Sequence, residues 1–183
     1  MNSAAEMTKL SRSQLHHLML QGHPIDPKEL AGWAYHGVSL GLPRWLERVT
    51  WKTFTKAFVY DAGYVRGWNI KMKQTGEAGP RIPITKNQKP KIFGAFDVQA
   101  KDRHELRNEF PEALVLNYGT PKNSDFGLRT LRDPLVAIKE GDSTLLLGCS
   151  WLRVSGRNFP TPSYFTLERA ESVQGGQVLW GYD

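Results

Sequence analysis

The sequence contains few of the features that would place this protein in several common classes. Cys149 is its only cysteine, so an intrachain disulfide is excluded and the chain needs no oxidising compartment. No apolar run approaches the roughly 20 residues of a membrane-spanning helix. Residues 1–10 lack the basic start and the apolar stretch of a signal peptide. We therefore expect a cytoplasmic protein without a membrane span.

The sequence also lacks the motifs of common catalytic and nucleotide-binding sites. It has no phosphate-binding loop, no Gly-x-Gly-x-x-Gly dinucleotide motif and no Gly-x-Ser-x-Gly nucleophile motif. The five histidines do not have zinc-site spacing, and the adjacent His16 and His17 face different directions on a predicted helix. We therefore predict no metal site and no cofactor, and the motifs identify no catalytic residue.

What the sequence does have is a repeated alternation of apolar and polar residues from Trp33 to Ala170. Alternation with a period of two is typical of strands that bury one face. Glycines inside the segments, at Gly67, Gly94 and Gly148, are typical of bends that close a sheet into a barrel. The pattern predicts an all-β fold, an antiparallel barrel of about eight or nine strands with a short N-terminal helix. The predicted strands are 51–60, 64–73, 91–98, 113–118, 135–140, 144–154 and 164–170. Segment 51–60 also has nearly helical spacing of its apolar residues, but its threonine, valine and aromatic content favours a strand.

The chain divides into four predicted segments. Residues 1–9 are expected to be a disordered lead, and residues 10–31 a helical segment in which Ser11 and Gln14 have capping-box spacing. The barrel domain is predicted over 32–172, followed by a C-terminal tail over 173–183. Within the barrel, the stretch 74–90 is rich in glycine, proline and lysine, which predicts an edge piece or a mobile flap.

The beginning of the strand region resembles the lipocalin and wider calycin families, which open with a helical turn and then a glycine and a tryptophan on the first strand. The matching residues are Asp26, Leu30, Ala31, Gly32, Trp33 and Tyr35. The run 32–37 also resembles the opening of nitrobindin-like barrels. Both patterns separate the glycine from the tryptophan by one residue, whereas Gly32 and Trp33 are adjacent. The resemblance implies a lipocalin-like barrel with a small-molecule pocket, and the nitrobindin likeness adds haem held by one histidine as an alternative.

Aromatic residues with isolated polar groups at alternating positions form the candidate ligand site. Small-molecule pockets are mostly apolar and carry a few well-placed polar groups. We predict that a small, largely hydrophobic ligand, with or without an acid group, lies inside the barrel. An arginine can hold such an acid group through its planar fork. The predicted walls are Trp33, Tyr35, Trp68, Phe96, Trp151 and Tyr164, and Asn117 and Arg153 are predicted to orient the polar end.

The same pattern is compatible with other roles for these residues. The aromatics can simply fill the core, because a period of two does not identify the inward face. A cofactor-free isomerase or cyclase that acts by positioning needs no catalytic motif. The net charge of +6 and the basic residues between 66 and 91 fit a single-strand nucleic-acid-binding barrel, but a solvated basic flap is the preferred explanation. Nucleic acid is therefore not the favoured partner, and the sequence leaves the oligomeric state open.

Overall fold

The computed structural model describes residues 3–40 and 52–173, and in them the chain is mostly β. Four helices occur in these residues: α1 Ala4–Met7, α2 Arg12–Gln21, α3 Pro27–Leu30 and α4 Phe126–Arg129. The strands there are β1 Trp33–Leu40, β2 Thr53–Asp61, β3 Tyr64–Lys71, β4 Thr85–Lys86, β5 Lys89–Pro90, β6 Ile92–Gln99, β7 Leu114–Asn117, β8 Leu131–Lys139, β9 Asp142–Val154 and β10 Arg157–Ser172. The all-β prediction is confirmed.

Eight of these strands form a closed antiparallel barrel in the order β1-β2-β3-β6-β7-β8-β9-β10, with β10 pairing back onto β1. The β3–β6 pairing contains a bulge, because Gly67 pairs with Phe96 and Asn69 pairs with Phe93. Gly94 lies in this bulge with φ of 55°, a left-handed conformation that side chains disfavour. The glycine inside this strand therefore marks a distortion of the barrel wall, as the sequence predicts.

Side chains alternate between the interior of the barrel and its outer wall. Glycine at position 148 leaves room for an interior aromatic ring, because a Cβ there would overlap Phe165. Phe165 belongs to a cluster of buried apolar residues inside the barrel, and Ile25 and Leu30, which precede β1, belong to the same cluster. Helix α3 therefore closes one end of the barrel. Other members of this cluster are Tyr35, Phe58, Val65, Phe96, Leu114, Leu116, Tyr118, Leu135, Ala137, Leu146 and Leu167.

The N-terminal helices pack on the outside of the barrel. Leu15 and Met19 of α2 belong to a buried cluster with Val136 of β8 and Leu147 of β9. The predicted capping box is present, since Ser11 and Gln14 each accept a hydrogen bond from the backbone N–H of the other. The outer faces of these strands are thus buried beneath helix α2 instead of being exposed to water.

The beginning of the chain differs from the expected disordered lead. Residues 4–7 form α1, whose N-cap Ser3 accepts a hydrogen bond from the backbone N–H of Glu6. Met7 is fully buried in the cluster beneath α2, which gives this short helix an apolar anchor. The expected tail lies mostly outside the described residues, which end at Val173.

The stretch 74–90 continues the sheet edge next to the end of β3. The backbone N–H of Ile84 donates to the carbonyl oxygen of Lys71 at 2.8 Å, and Met72 forms an isolated bridge with Pro83. Strands β4 and β5 then make a separate two-stranded hairpin. The sequence predicts either an edge piece or a mobile flap for 74–90, and in the structure this stretch pairs as an edge piece. In the parts of the chain that are described, no helix has the length and apolar character needed to cross a bilayer.

Candidate functional site

A cavity of about 140 Å³, which we call the inner cavity, opens at one end of the barrel interior. Strand β1 runs away from α3, and Ser39 near its far end lines the cavity, so the cavity lies at the end opposite α3. Leu128 of α4 also contributes to the lining. The wall consists of aromatic rings and a small group of polar side chains, namely Phe54, Phe93, Tyr118 and Phe165, with Lys56, Asn69, Asp133 and Ser150.

Lys56 is the central polar residue of this cavity. It faces inward from β2 between Phe54 and Phe58, and it is only 3% exposed. Its Nζ donates to Oδ1 of Asn69 at 2.8 Å and to the hydroxyl of Tyr118 at 2.5 Å. Asn69 is itself held in place, because its Nδ2 donates to the carbonyl oxygen of Gly94 at 3.0 Å. The β6 bulge therefore helps to position an acceptor for the lysine.

The ammonium group of Lys56 lies among four aromatic rings. Nζ is 5.2 Å from the ring centroids of Phe54, Tyr118 and Phe165. The centroid of Phe96 is 5.3 Å away. A cation within about 6 Å of a ring face is attracted by the negative π-surface, and this attraction grows when water is excluded. The rings thus form an electron-rich surrounding for the buried charge.

Asp133, on β8, is the buried acidic residue next to Lys56 and Tyr118. Its Oδ2 lies 3.6 Å from Nζ of Lys56 and accepts a hydrogen bond from Tyr118 at 3.2 Å. The carboxylate is also close enough to the hydroxyl of Ser150 for that group to lower its pKa. Lys56, Tyr118 and Asp133 therefore form a connected chain of proton donors and acceptors inside the barrel.

Burial shifts the protonation equilibria of both charged groups. Loss of solvation lowers the pKa of Lys56 to about 8, although the carboxylate of Asp133 opposes this shift. Loss of solvation also raises the pKa of Asp133, and the nearby lysine opposes it. A fraction of Lys56 consequently carries a neutral amine near physiological pH, which is unusual for a lysine.

Two residues of the predicted site lie in the interior core. Tyr35 is fully buried, and its hydroxyl donates to the carbonyl oxygen of Ser143 at 2.9 Å. The ring centroid of Phe96 is 5.4 Å from that of Phe58 and 5.3 Å from that of Tyr118. Phe96 therefore packs next to the Lys56 site, whereas Tyr35 packs nearer to α3.

Trp33 belongs to the closed end of the barrel. The guanidinium of Arg169 lies 5.0 Å from the ring centroid of Trp33. Arg169 also donates through Nε to the hydroxyl of Tyr35 at 3.2 Å, and through Nη2 to Oγ of Ser143 at 2.5 Å. These contacts join the beginning of β1 to the end of β10. Trp33 therefore helps to close this end of the barrel and does not line the inner cavity.

The structure places the other five predicted residues on the outer wall, away from the inner cavity. Trp68 belongs to an outer cluster, while Trp151 and Tyr164 pack against the cluster beneath α2. Arg153 donates to Oδ1 of Asn158 at 3.1 Å and lies 3.6 Å from a carboxylate oxygen of Glu105. Oδ1 of Asn117 accepts the backbone N–H of Gly119 at 2.8 Å. Strand register explains why the predicted residues of β9 lie on the outer wall. Gly148 and Ser150 face inward, so positions 149, 151 and 153 face outward.

Sequence reasoning missed the polar residues that do lie in the cavity. A lysine on a strand usually marks a solvated face, so residue type alone gives Lys56 no functional role. A usable signal exists, because Phe54 and Phe58 flank Lys56 at strand spacing and place it on an aromatic face. Asp133 has the same signal, since it shares a face with Leu135 and Ala137.

The histidines do not converge on the cavity. His36 faces outward, where its Nδ1 lies 3.2 Å from Oγ1 of Thr55 and its Nε2 lies 3.6 Å from Glu171. No histidine is among the described residues that line the inner cavity, so the donor set does not fit a haem held there by histidine. In residues 3–40 and 52–173, no group of three or more histidine, cysteine, aspartate or glutamate side chains is arranged to hold a metal ion.

Comparison with known proteins gives no family assignment. No protein-family model matches the chain, and neither a curated protein nor a solved structure matches it significantly. The closed barrel of eight antiparallel strands is compatible with a lipocalin-like barrel. Fold alone does not determine function, so function has to be argued from the cavity.

Proposed function

We propose that this protein binds a small, largely apolar molecule in the inner cavity, with an oxygen acceptor of that molecule facing Lys56 and Tyr118. The observation that carries the proposal is the position of a buried lysine within an aromatic wall that borders a cavity. The volume of about 140 Å³ is smaller than the roughly 300–1,000 Å³ of sites for drug-sized ligands. The proposed ligand is therefore compact, of the size of a single substituted ring.

The charges of the cavity favour a neutral oxygen over a carboxylate. Asp133 already offsets the charge of Lys56 at 3.6 Å, and a second carboxylate would be repelled by it. A ketone or aldehyde oxygen accepts hydrogen bonds without adding charge. We therefore expect a compact carbonyl compound to bind more tightly than the acid of the same shape.

Ligand-observed NMR with toluene, acetophenone and benzoate tests this order. We expect acetophenone to bind best, and Lys56→Met to weaken its binding about tenfold, as expected for loss of one hydrogen bond from a charged donor. The control Lys101→Met removes an exposed lysine that pairs with Glu112, and it should leave binding unchanged. Equal binding of acetophenone by wild type and Lys56→Met, or no binding at all, would overturn the proposal.

The hydrogen-bonded chain in the cavity favours a second candidate, a cofactor-free isomerase that moves a proton next to a carbonyl group. Such a reaction needs one group that removes the proton and one that donates a hydrogen bond to the oxygen. The neutral amine of Lys56 can do the first, and the hydroxyl of Tyr118, which donates to Asp133 in the free protein, can do the second by turning its O–H to the ligand oxygen. In a β,γ-unsaturated ketone the proton then returns from Lys56 to the γ-carbon, so the double bond moves into conjugation with the carbonyl group and no cofactor is consumed.

Exchange of the α-hydrogens of cyclohexanone in deuterated water tests this second candidate. Wild-type protein should accelerate the exchange over buffer, and Lys56→Met and Tyr118→Phe should each remove the acceleration. The control Tyr60→Phe changes an exposed tyrosine outside the lining of the inner cavity and should keep the wild-type rate. Exchange at the buffer rate with wild-type protein would exclude proton transfer and leave binding as the proposed role.

We also propose that the barrel is lipocalin-like in the stricter family sense. The support is the closed order of eight antiparallel strands and the helical turn α3 before Gly32 and Trp33. An experimental structure would test this placement through the helical turn and the start of the first strand. A first strand that begins elsewhere, or an open sheet, would contradict it.

A further inference from the structure

Lys56 is the only lysine in residues 3–40 and 52–173 that is buried. Three polar side chains lie within 3.6 Å of its Nζ, and all three line the inner cavity: Asn69, Tyr118 and Asp133. The rings of Phe54 and Phe165, whose centroids are 5.2 Å from Nζ, line the same cavity. The amine is therefore enclosed by the groups that a bound molecule would contact.

Burial gives this amine the properties of a nucleophile. Only the neutral form of a lysine has the lone pair that attacks a carbonyl carbon, and an apolar pocket favours that form. With a pKa of about 8, roughly a tenth of Lys56 is neutral at pH 7, whereas a lysine at the ordinary 10.5 is neutral in fewer than about one molecule in a thousand. A carbonyl oxygen that faces Lys56 also brings its carbon close to Nζ, because one short bond joins the two atoms.

We propose that the inner cavity binds small aldehydes and that Lys56 joins them covalently as an imine. This inference rests on the binding function proposed above and narrows its substrate class. Nζ forms a bond to the aldehyde carbon, and the oxygen gains a proton as the nitrogen loses one, which gives a carbinolamine. The C–O bond then breaks, the oxygen leaves as water, and a C=N double bond forms. A protonated lysine and an aldehyde thus yield a protonated imine and one water, and no oxidant or reductant is needed.

The hydrogen-bonded chain of the cavity supplies the proton transfers. The hydroxyl of Tyr118 accepts from Nζ at 2.5 Å and donates to Oδ2 of Asp133 at 3.2 Å, so it connects the amine to the carboxylate. The ammonium proton passes through Tyr118 to Asp133, which frees the lone pair of Lys56. The same proton returns through Tyr118 to the carbinolamine oxygen, which then leaves as water.

The surroundings of Lys56 also suit the product. A protonated imine carries its positive charge on the same nitrogen, so Asp133 at 3.6 Å and the four nearby rings stabilise it as they stabilise the ammonium group. An amide formed from an ester would be neutral and would leave Asp133 as an uncompensated buried charge. The volume of about 140 Å³ favours an aldehyde over a ketone, because the reacting carbon of an aldehyde carries only one substituent besides hydrogen.

Benzaldehyde with sodium cyanoborohydride at pH 7 tests the inference, because this reagent reduces a protonated imine to a stable secondary amine. Intact mass and peptide mapping of the wild-type protein should show one benzyl group, at Lys56, added about tenfold or more faster than at any exposed lysine. Lys56→Met should lose this adduct, and the control Lys101→Met should retain it. Equal labelling of Lys56 and the exposed lysines would overturn the inference, and mapping of wild type gives that result without any variant.

The role of Tyr118 is tested by the rate of labelling with the reductant in excess. Tyr118→Phe removes the hydroxyl that connects Lys56 to Asp133, and it should slow labelling of Lys56 by about tenfold or more. The control Tyr60→Phe changes an exposed tyrosine and should keep the wild-type rate. An unchanged rate in Tyr118→Phe would contradict the proton transfer through its hydroxyl. Circular dichroism of each variant checks that the barrel remains folded.

Binding and imine formation can fail separately. Ligand-observed NMR of acetophenone measures binding without the reductant. If acetophenone binds and Lys56 gains no benzyl group, the imine inference is wrong and the binding proposal stands. If acetophenone does not bind but Lys56 is labelled selectively, the imine inference is supported and the binding preference proposed above is wrong. If neither result is obtained, both proposals are wrong.

Discussion

Nζ of Lys56 lies 3.6 Å from Oδ2 of Asp133, and the two side chains are only 4% and 6% exposed. A buried ion pair loses the solvation of both charges, so it adds little net stability compared with apolar residues of the same shape. Removing one partner is different, because the remaining charge stays buried without compensation. The pair is therefore better explained by a role in the cavity than by a contribution to folding.

This relationship predicts a non-additive response to substitution. Lys56→Met should reduce the free energy of unfolding by about 3–5 kcal/mol, and Asp133→Leu by a similar amount. The double variant should be considerably more stable than either single variant, because no unpaired charge remains. Urea denaturation of the four proteins measures the coupling. Losses that simply add in the double variant would contradict the view that the two charges depend on each other.

The low pKa of Lys56 predicts the direction in which stability depends on pH. Between about pH 8 and its ordinary value of 10.5, Lys56 has lost its proton in the folded state but keeps it in the unfolded state. The unfolded state then binds more protons, so the contribution of Lys56 to the free energy of unfolding rises with pH across this window.

Denaturation of wild type and Lys56→Met between pH 7.5 and 10.5 measures this contribution, because the two proteins differ at only one titrating side chain. The stability of wild type relative to the variant should increase as the pH rises from about 8 to 10.5. A relative stability that falls over this range would mean that the folded protein holds the lysine proton more tightly than the unfolded chain does.

The bulge at Gly94 predicts a position-specific cost of substitution. Gly94→Ala places a Cβ at φ of 55° and 2.8 Å from Nδ2 of Asn69. The left-handed conformation alone costs about 1–2 kcal/mol, and displacement of Asn69 disturbs its hydrogen bond to Lys56. Gly141→Ala is a matched control, because Gly141 has φ of 68° and nothing within 4 Å of the new Cβ. Thermal denaturation should show a larger loss for Gly94→Ala, whereas equal losses would exclude the contact with Asn69 as a cause.

Burial predicts that the single thiol is inert. Loss of solvation raises the pKa of Cys149 to about 12, and the thiolate is the reactive form. Native protein should therefore react slowly with a thiol-specific disulfide reagent at pH 8, and the rate should increase sharply in urea. Rapid reaction of the native protein would show that the β9 wall opens on the timescale of labelling.

The sequence predicted the fold well because the apolar alternation survives in nearly every strand. Strand β2, for example, is predicted at 51–60 and is found at Thr53–Asp61. The inward face of each strand was not predictable, since a period of two is unchanged when the faces are exchanged. On β9, Leu147 and Cys149 look like core residues, and they are buried, but beneath α2 rather than inside the barrel.

The candidate site was harder to predict than the fold. Lys56 and Asp133 come from distant strands, and each is unremarkable until the barrel brings their side chains together. Trp68 was expected in a ligand site with an arginine nearby, but inside the barrel. It lies instead on the outer wall, where Trp68 and Arg66 line the same external pocket. Both results depend on long-range register, which a single sequence does not encode locally.

The pairing of β10 with β1 has a consequence for how the chain is made. Gly37 faces Leu167 across this pairing, so the barrel closes only when nearly the whole described sequence has been synthesised. Until then the growing chain exposes two unpaired strand edges, on β1 and β9, which are templates for association with other chains. Closure through such distant partners is slow compared with local folding. The interval before β10 is synthesised is therefore the period in which the nascent chain is most exposed to association through these edges.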